Sequence, residues 1–229
     1  MRTFADKREG FFVDVGAGEP ELGSVTKNLV DHLGWRGVNI EPLPDSFERL
    51  SAARPGDTNL RCAIDTLPGR AGFHRILPAP GLEGGPGLST LAPEIVDMHR
   101  ATGWGVQEFE VDVVPLEEVL NKYAKPGFDL LKVDVEGREG AVLKSANLVY
   151  WRPRVIVAEA TLPDTTIPSH AEWEPYLFES GYILALFDGL NRFYCHETEP
   201  EIRRRLSIPA NVTDQWIPAG WAQLLGYEV

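Results

Sequence analysis

Positive charge is scarce in this sequence of 229 residues. There are 22 lysine and arginine side chains and 34 acidic ones, which gives a formal net charge of −12. Such a surface repels a phosphate backbone, and the longest basic run, residues 203–205, is too short to form a phosphate-binding stripe. We therefore expect no nucleic acid among the partners of this protein.

Cysteine and long apolar runs are also nearly absent. Cys62 and Cys195 both fall in apolar stretches that predict strands, so we interpret them as buried free thiols. No paired cysteine and histidine spacing of a zinc site is present. No run approaches about 18 uncharged apolar residues, and residues 1–10 contain acids where a leader sequence is apolar. These absences predict a soluble, cytoplasmic protein with no stable insertion into a membrane.

What is present is the composition of a globular domain, with 43% hydrophobic and 24% charged residues. Short apolar runs alternate with helical patterns, which is typical of βαβ units around a parallel sheet. The sequence predicts strands at 11–15, 36–41, 59–64, 128–135 and 154–159, a hairpin at 182–187 and 192–195, and helices at 24–33, 44–53, 115–123, 138–148 and 173–180. We predict a single α/β domain over 1–229, with a core at 10–196 and a C-terminal extension at 197–229.

The first predicted strand ends at a glycine-containing turn, DVGAG, over residues 14–18. Glycine lets the backbone lie against a ligand above the carboxyl end of a strand. The third glycine of a dinucleotide-binding motif is missing, because the acidic insert EPEL (19–22) follows Gly18 and would repel a pyrophosphate. The turn therefore predicts a nucleotide-type ligand that lacks a pyrophosphate.

Two acids at predicted strand ends refine this prediction. Glu41 ends the second strand, where a carboxylate accepts hydrogen bonds from both ribose hydroxyls. Asp65 follows the third strand. There we expect it either to accept a hydrogen bond from an adenine amino group or to be a solvated turn residue. Together with the turn, these acids fit S-adenosylmethionine better than NAD. The broken glycine pattern and the absence of a Tyr-x-x-x-Lys pair disfavour an NAD-linked oxidoreductase. The many acids at adjacent strand ends disfavour a non-catalytic nucleotide-binding subunit, because unpaired buried carboxylates are costly without a task.

A second group of acids follows the next two strands. Asp134 and Glu136 come after the fourth strand, and Glu159 ends the fifth. Neighbouring strand ends place these carboxylates at the crevice where doubly wound folds bind ligands. There they predict a hard-cation site or a base with a raised pKa. The alternative is structural, with Glu136 as a helix cap and Lys132 as the neutralising partner of Asp134.

Three segments carry a family resemblance: GVNIEPLPDSFERL (37–50), LKVDVEG (131–137) and RPRVIVAEA (152–160). They resemble the FkbM family of S-adenosylmethionine-dependent O-methyltransferases. Segments 169–174 and 187–194 are similar to the branch found in glycan and polysaccharide biosynthesis. The resemblance implies a Rossmann-like class I methyltransferase fold, with a mostly parallel seven-stranded sheet and helices on both faces.

The same resemblance implies a reaction and a site. The reaction is methyl transfer to a sugar or glycan hydroxyl, with a polyketide-like acceptor as the alternative, in a monomer or homodimer. The residues expected at the cofactor are Asp14, Gly16, Ala17, Gly18, Ser24, Glu41, Pro42, Asp65 and Asp134. At the acceptor the resemblance implies Glu136, with Asp134 and Glu159. Arg138 departs from the family pattern, which usually has a small residue there, and either reaches the acceptor or projects into water; Ser89, after the Pro/Gly loop, is a further candidate for acceptor binding.

An alcohol is too weakly acidic to ionise unaided, so a base or a metal must activate the acceptor hydroxyl. His170 is the candidate base, because it follows the fifth strand and imidazole titrates near neutral pH. In the alternative, which resembles catechol O-methyltransferase, Asp134 and Glu159 hold magnesium together with His170. The candidate catalytic residues are therefore His170, Asp134 and Glu159.

Overall fold

The computed structural model describes residues 2–21, 23–78, 87–211 and 214. The predicted C-terminal extension is therefore described only in part. The described strands are β1 (Phe11–Val15), β2 (Arg36–Ile40), β3 (Thr58–Leu60), β4 (Ala63–Ile64), β5 (Gly69–Leu77), β6 (Ser89–Thr90), β7 (Gly105–Val114), β8 (Leu130–Val133), β9 (Val155–Glu159), β10 (Tyr182–Phe187) and β11 (Asn191–His196). The α-helices are α1 (Lys27–Leu33), α2 (Pro44–Ala53), α3 (Pro93–Ala101), α4 (Leu116–Tyr123), α5 (Glu139–Lys144), α6 (Leu148–Trp151), α7 (Glu174–Glu179) and α8 (Pro200–Leu206). None of these helices combines the length and apolarity needed to cross a bilayer.

Seven strands form the main sheet, in the order β10-β11-β9-β8-β1-β2-β3. All neighbours are parallel except β11, which is antiparallel to both β10 and β9. The predicted α/β fold with a mostly parallel seven-stranded sheet is thereby confirmed. The connections change direction between β1 and β8, and ligands of such sheets bind outside the carboxyl ends of the strands at this switch point.

Helices cover both faces of the main sheet, as predicted, because successive side chains of a strand point to opposite faces. Val13 of β1 belongs to a buried cluster that includes Leu120 of α4. Its neighbour Phe12 belongs to a second cluster, with Leu33 of α1 and Leu206 of α8. The central strands are therefore buried on both sides.

The predicted start of the first helix is wrong. The helix covers Lys27–Leu33 and its N-cap position is Thr26, so Ser24 does not cap it. The Thr26 hydroxyl donates a hydrogen bond to Asp14 Oδ2 (3.2 Å) and accepts one from the Arg54 guanidinium (3.3 Å). These buried polar partners position Thr26, and no pattern around Ser24 reveals them.

Two predicted elements are each divided in the structure. The strand predicted at 59–64 consists of β3 in the main sheet and β4 in another sheet. The helix predicted at 138–148 ends at Lys144, and α6 begins after Asn147, whose side chain accepts a hydrogen bond from the backbone N–H of Tyr150. This local cap allows the chain to start a new helix.

A second sheet of four strands, β4-β7-β5-β6, was not predicted. Strands β5 and β7 pair antiparallel along their length. In β7 the side chains of Val111 and Val113 are buried, whereas Glu110 and Asp112 are exposed. This alternation with a period of two is typical of a half-buried strand.

A buried carboxylate ties the amino-terminal edge of the main sheet together. Asp129 is 3% exposed and accepts hydrogen bonds from Lys7 Nζ (2.7 Å), from the backbone N–H of Phe11 (3.0 Å) and from the Arg154 guanidinium (3.2 Å). Glu199 binds the same guanidinium but is more exposed. This network lies at the edge opposite the carboxyl ends of β1, β8 and β9.

We expect Asp129→Ala to lower the free energy of unfolding by about 2 kcal/mol, because it removes charged hydrogen bonds and leaves a backbone donor unpaired. Glu199→Ala is the matched control and should cost only about 0.5 kcal/mol, since its ion pair is partly solvated. Urea unfolding followed by circular dichroism measures both. Equal losses in the two variants would contradict this account of the network.

Candidate functional site

A cavity of about 300 Å³ opens at the carboxyl ends of β1, β2 and β8. Residues 16–18 and Glu41 form its polar wall. Its apolar walls combine the main sheet with the second sheet and are formed by Ile40, Leu43, Ala63, Ile64, Phe73 and Leu91. A polar edge next to apolar walls is typical of a site for a small ligand with one flat apolar part.

The turn after β1 requires glycine at position 16. Gly16 has a φ of +78°, and a Cβ atom there would lie 1.8 Å from the carbonyl oxygen of Asp134. The N–H groups of Gly16 and Ala17 both donate to the carbonyl of Ile40, at 3.1 and 3.0 Å. The Gly16 carbonyl accepts a hydrogen bond from Lys132 Nζ. The turn is thus held by β2 on one side and by β8 on the other.

Glu41 lies at the end of β2 and is 5% exposed. Its Oε2 atom accepts a hydrogen bond from the N–H of Gly18 (3.0 Å), and its Oε1 atom accepts one from the N–H of Leu43 (2.9 Å). Burial raises the pKa of Glu41 more than these two hydrogen bonds lower it. Because a carboxylate has about four acceptor positions, each oxygen keeps one for a hydroxyl in the cavity.

Lys132 carries the buried positive charge of this region. Its Nζ atom lies 3.2 Å from Asp14 Oδ1 and 3.5 Å from Asp134 Oδ2. Burial lowers the pKa of Lys132, but the attraction of the two carboxylates is stronger and the net shift is upward. Lys132 therefore neutralises Asp134, as the structural alternative predicted. Glu136 does not cap the following helix, so that part of the alternative is wrong: Glu139 accepts the hydrogen bonds from the N–H groups of Val135 and Gly137 before α5.

Six of the nine residues expected at the cofactor line this cavity: Gly16, Ala17, Gly18, Glu41, Pro42 and Asp134. Asp14 lies beneath the turn and Ser24 lies beside it, and neither is on the cavity wall. Asp65 is also off the wall, but it accepts a hydrogen bond from the guanidinium of Arg138, which does line the cavity. Burial raises the pKa of Asp65, but Arg138 and the N–H of Thr66 outweigh this and the net shift is downward.

A second cavity, of about 800 Å³, adjoins the first. Asp134 and Glu136 line both cavities. The other residues of the second cavity are acids, hydroxyls and apolar side chains, with no lysine or arginine among those described: Leu88, Glu159, Asp164, Thr165, Thr166, Ile167 and Leu190. Ser89 and Arg138, expected at the acceptor, line the first cavity instead.

Three carboxylates meet between the cavities. Asp134, Glu136 and Glu159 each have an oxygen within 4.8 Å of the others. Burial raises the pKa of both Glu136 and Glu159, and repulsion from the neighbouring acids raises it further. His170 is not part of this group: its Nδ1 atom lies 3.4 Å from the carbonyl of Ala160 and its Nε2 atom 3.9 Å from Glu174. The structure therefore brings Glu136, rather than His170, to Asp134 and Glu159.

Several residues of the two cavities were missed at the level of sequence. Phe73 lies in β5 and Leu91 directly follows β6, so both reach the first cavity through the second sheet. The alternation in β7 indicates a strand, but it does not point to these two residues. Thr165 and Thr166 lie on a loop after β9 that shows no periodicity, so no sequence signal indicates them. Cys62 is a free thiol, as expected, but it is half-buried rather than buried, lies between β3 and β4, and lines the first cavity. Burial raises its pKa to about 11, so it is uncharged at neutral pH.

The profile of the FkbM methyltransferase domain matches residues 14–184. This chain belongs to the FkbM methyltransferase family. No curated protein matches it. Among solved structures, the methyltransferase FkbM from Methylobacillus flagellatus KT is 18% identical, with 83% of this chain and 44% of that chain covered and a TM-score of 0.49. This chain thus spans less than half the length of that protein.

Two other solved structures are similar to this FkbM-family chain. A TehB-like SAM-dependent methyltransferase from Corynebacterium glutamicum is 10% identical, with 82% of this chain and 81% of that chain covered and a TM-score of 0.42. A precorrin-6y C5,15-methyltransferase from Geobacter metallireducens is 13% identical, with 84% of each chain covered and a TM-score of 0.40.

We expect Gly16→Ala in this FkbM-family chain to lower the free energy of unfolding by about 3 kcal/mol, because it combines a left-handed φ with a clash against Asp134. Gly23→Ala is the matched control: its φ is +83°, but no atom lies within 4 Å of the added Cβ. It should cost about 1 kcal/mol. Urea unfolding of the two variants tests the difference, and equal costs would show that the contact with Asp134 does not constrain the turn.

Proposed function

We propose that this chain transfers a methyl group from S-adenosylmethionine to a hydroxyl of a sugar or glycan acceptor. The observation that carries the proposal is the wall of Asp134 and Glu136 shared by the two cavities. A donor in the first cavity and an acceptor in the second would meet there, and direct transfer requires such proximity. Membership of the FkbM family supports methyl transfer, and the resemblance of segments 169–174 and 187–194 supports a role in polysaccharide or glycolipid synthesis. The proposal keeps the cytoplasmic location and the monomer or homodimer predicted from the sequence.

The first cavity suits the proposed donor. The free acceptor positions of Glu41 suit a ribose diol, and the apolar walls suit an adenine ring. The turn at 16–18 then receives the amino-acid part of the donor. In this proposal Asp14 and Asp65 are positioning residues, since Asp14 acts through Lys132 and Asp65 acts through Arg138.

The second cavity suits a neutral acceptor rich in hydroxyl groups. Its acids and the hydroxyls of Thr165 and Thr166 provide hydrogen-bond partners for such a molecule. A polyketide-like acceptor is the second candidate, because Ile167 and Leu190 are 56% and 48% exposed beside the same cavity. An apolar rim of this kind would bind the larger apolar surface of a polyketide.

The sequence offers two means of activating the acceptor hydroxyl, His170 as a base and a bound magnesium ion. The proposal retains the magnesium ion. Asp134 and Glu159 lie together, whereas His170 lies apart from them. A bound cation would lower the pKa of a hydroxyl that it contacts. His170 then acts as a positioning residue through the carbonyl of Ala160, the residue after Glu159.

The experiment that tests the proposal is calorimetric titration of the purified protein with S-adenosylhomocysteine and, separately, with NADH. We expect binding of S-adenosylhomocysteine and none of NADH. A radiolabelled methyl donor is then offered with panels of neutral glycosides and of polyketide alcohols, and label in the glycosides is the expected result. Binding of NADH alone, or of neither ligand, would refute the proposal.

We expect Glu41→Gln to weaken S-adenosylhomocysteine binding about tenfold or more. The amide has one acceptor oxygen, so it cannot keep both backbone bonds and the ribose contact, and charged hydrogen bonds contribute about 1.5–3 kcal/mol. Glu19→Gln is the matched control, because Glu19 borders the same cavity outside its polar wall, binds Arg49 and is partly exposed. Calorimetry should show less than a twofold change for the control. An equal effect in both variants would argue against a ribose contact at Glu41.

A further inference from the structure

Three carboxylates from two neighbouring strand ends converge at the boundary of the cavities. Val133 of β8 pairs with Ala158 of β9, so the residues that follow, Asp134 and Glu159, are adjacent at the edge of the sheet. Glu136 reaches the same point from the loop after β8, where it adopts a φ of +54°. One oxygen of each side chain lies within 4.8 Å of the other two.

Glu159 provides a second observation at this point. It is only 6% exposed, and its Oε2 atom is buried without a hydrogen-bond partner in the described part of the chain. Glu136 Oε2 is in the same situation. A buried carboxylate without a partner is strongly destabilising unless a proton or a cation accompanies it. The two unpartnered oxygens therefore require a proton or a cation at this point.

The nearby basic side chains are already engaged. Lys132 contacts Asp14, Asp134 and the carbonyl of Gly16. Arg138, on the same loop, binds Asp65. Within residues 2–21, 23–78 and 87–211, no ion pair joins either Glu136 or Glu159 to a lysine or arginine. A cation that pairs with these two carboxylates is therefore not supplied by the described lysine and arginine side chains.

The spacing and the chemistry of the oxygens suit a small divalent cation. Oxygens that bind one magnesium ion at about 2.1 Å lie about 3 to 4.2 Å apart in an octahedron. The three carboxylate oxygens, which lie within 4.8 Å of one another, are compatible with this spacing. Carboxylate oxygens favour magnesium, manganese or calcium over zinc, which prefers nitrogen and sulfur.

We propose that Asp134, Glu136 and Glu159 form a divalent-cation site, for magnesium or manganese, at the boundary of the two cavities. Glu136 takes the place that the sequence assigned to His170. The site can load without donor or acceptor, because all three carboxylates come from the chain. Its use in activating an acceptor hydroxyl rests on the proposed function, whereas cation binding does not.

The test is titration of chelator-treated protein with Mn²⁺, with free Mn²⁺ followed by electron paramagnetic resonance and no S-adenosyl compound present. We expect one Mn²⁺ per chain, displaced by excess Mg²⁺. Glu159→Gln and Glu136→Gln should each weaken binding at least tenfold, since each removes a charged ligand. Two variants are used so that the result does not depend on the folding of one, and thermal unfolding checks both.

Asp164→Asn is the matched control. Asp164 lines the second cavity and carries the same charge, but it is outside the group of three carboxylates. Asparagine also tolerates its positive φ of +53°. Mn²⁺ binding should change less than twofold in this variant. An equal loss in Asp164→Asn and Glu159→Gln would show general attraction of cations to an acidic protein and would overturn the proposal.

Two further outcomes separate the site from the proposed function. Absence of Mn²⁺ binding at millimolar concentration, or binding unchanged in both glutamine variants, overturns the cation site even if S-adenosylhomocysteine binds. Stoichiometric Mn²⁺ binding that requires Glu136 and Glu159 supports the site even if S-adenosylhomocysteine fails to bind.

Discussion

One ammonium group, that of Lys132, holds the carboxyl ends of β1 and β8 together. It donates to the carbonyl of Gly16 and contacts Asp14 and Asp134. Because Asp14 lies opposite Lys132 in the parallel register, this contact follows directly from strand pairing. Without the ammonium, two acids and a carbonyl would converge in a buried place with no compensating charge, which is strongly unfavourable. The glycine turn, and with it the first cavity, therefore depends on this interaction.

The same ammonium determines how charge is divided between the cavities. Since Asp14 and Asp134 contact the ammonium directly, it forms no ion pair with Glu136 or Glu159. The first cavity presents backbone groups and Glu41, a carboxylate that already accepts two N–H bonds, whereas the second contains Glu136 and Glu159, whose pKa is raised by burial and by repulsion between neighbouring acids. The proposed divalent cation would supply the positive charge that Lys132 does not, at the point where the proposed donor and the acceptor hydroxyl meet.

How much the sequence predicts depends on the range of the interactions involved. Strands β1, β2, β8 and β9 lie within two residues of their predicted bounds, because strands buried on both faces are continuous apolar runs. Glu41, Asp134 and Glu159 could be placed in the site because carboxyl ends of parallel strands share one edge. The partner of Asp65 could not be predicted, since Arg138 is 73 residues away and no local pattern joins them. The position of His170 likewise depends on packing of a loop against α7.

The second sheet was not predicted, nor were α3 and α8, and it is this sheet that encloses the first cavity. The alternation in β7 indicates a strand, but nothing local shows that the chain leaves the main sheet after β3. It does so at Cys62, so that Ile64 and Phe73 face the end of β2 across the cavity. With the main sheet alone, Glu41 would lie at an open strand end and its hydrogen bonds would compete with water. The second sheet lines the cavity beside Glu41, which is 5% exposed, and in such a dry environment each hydrogen bond to the carboxylate is stronger. The strand order of the main sheet thus determines where a ligand can bind, while the second sheet provides the enclosure in which Glu41 can recognise it.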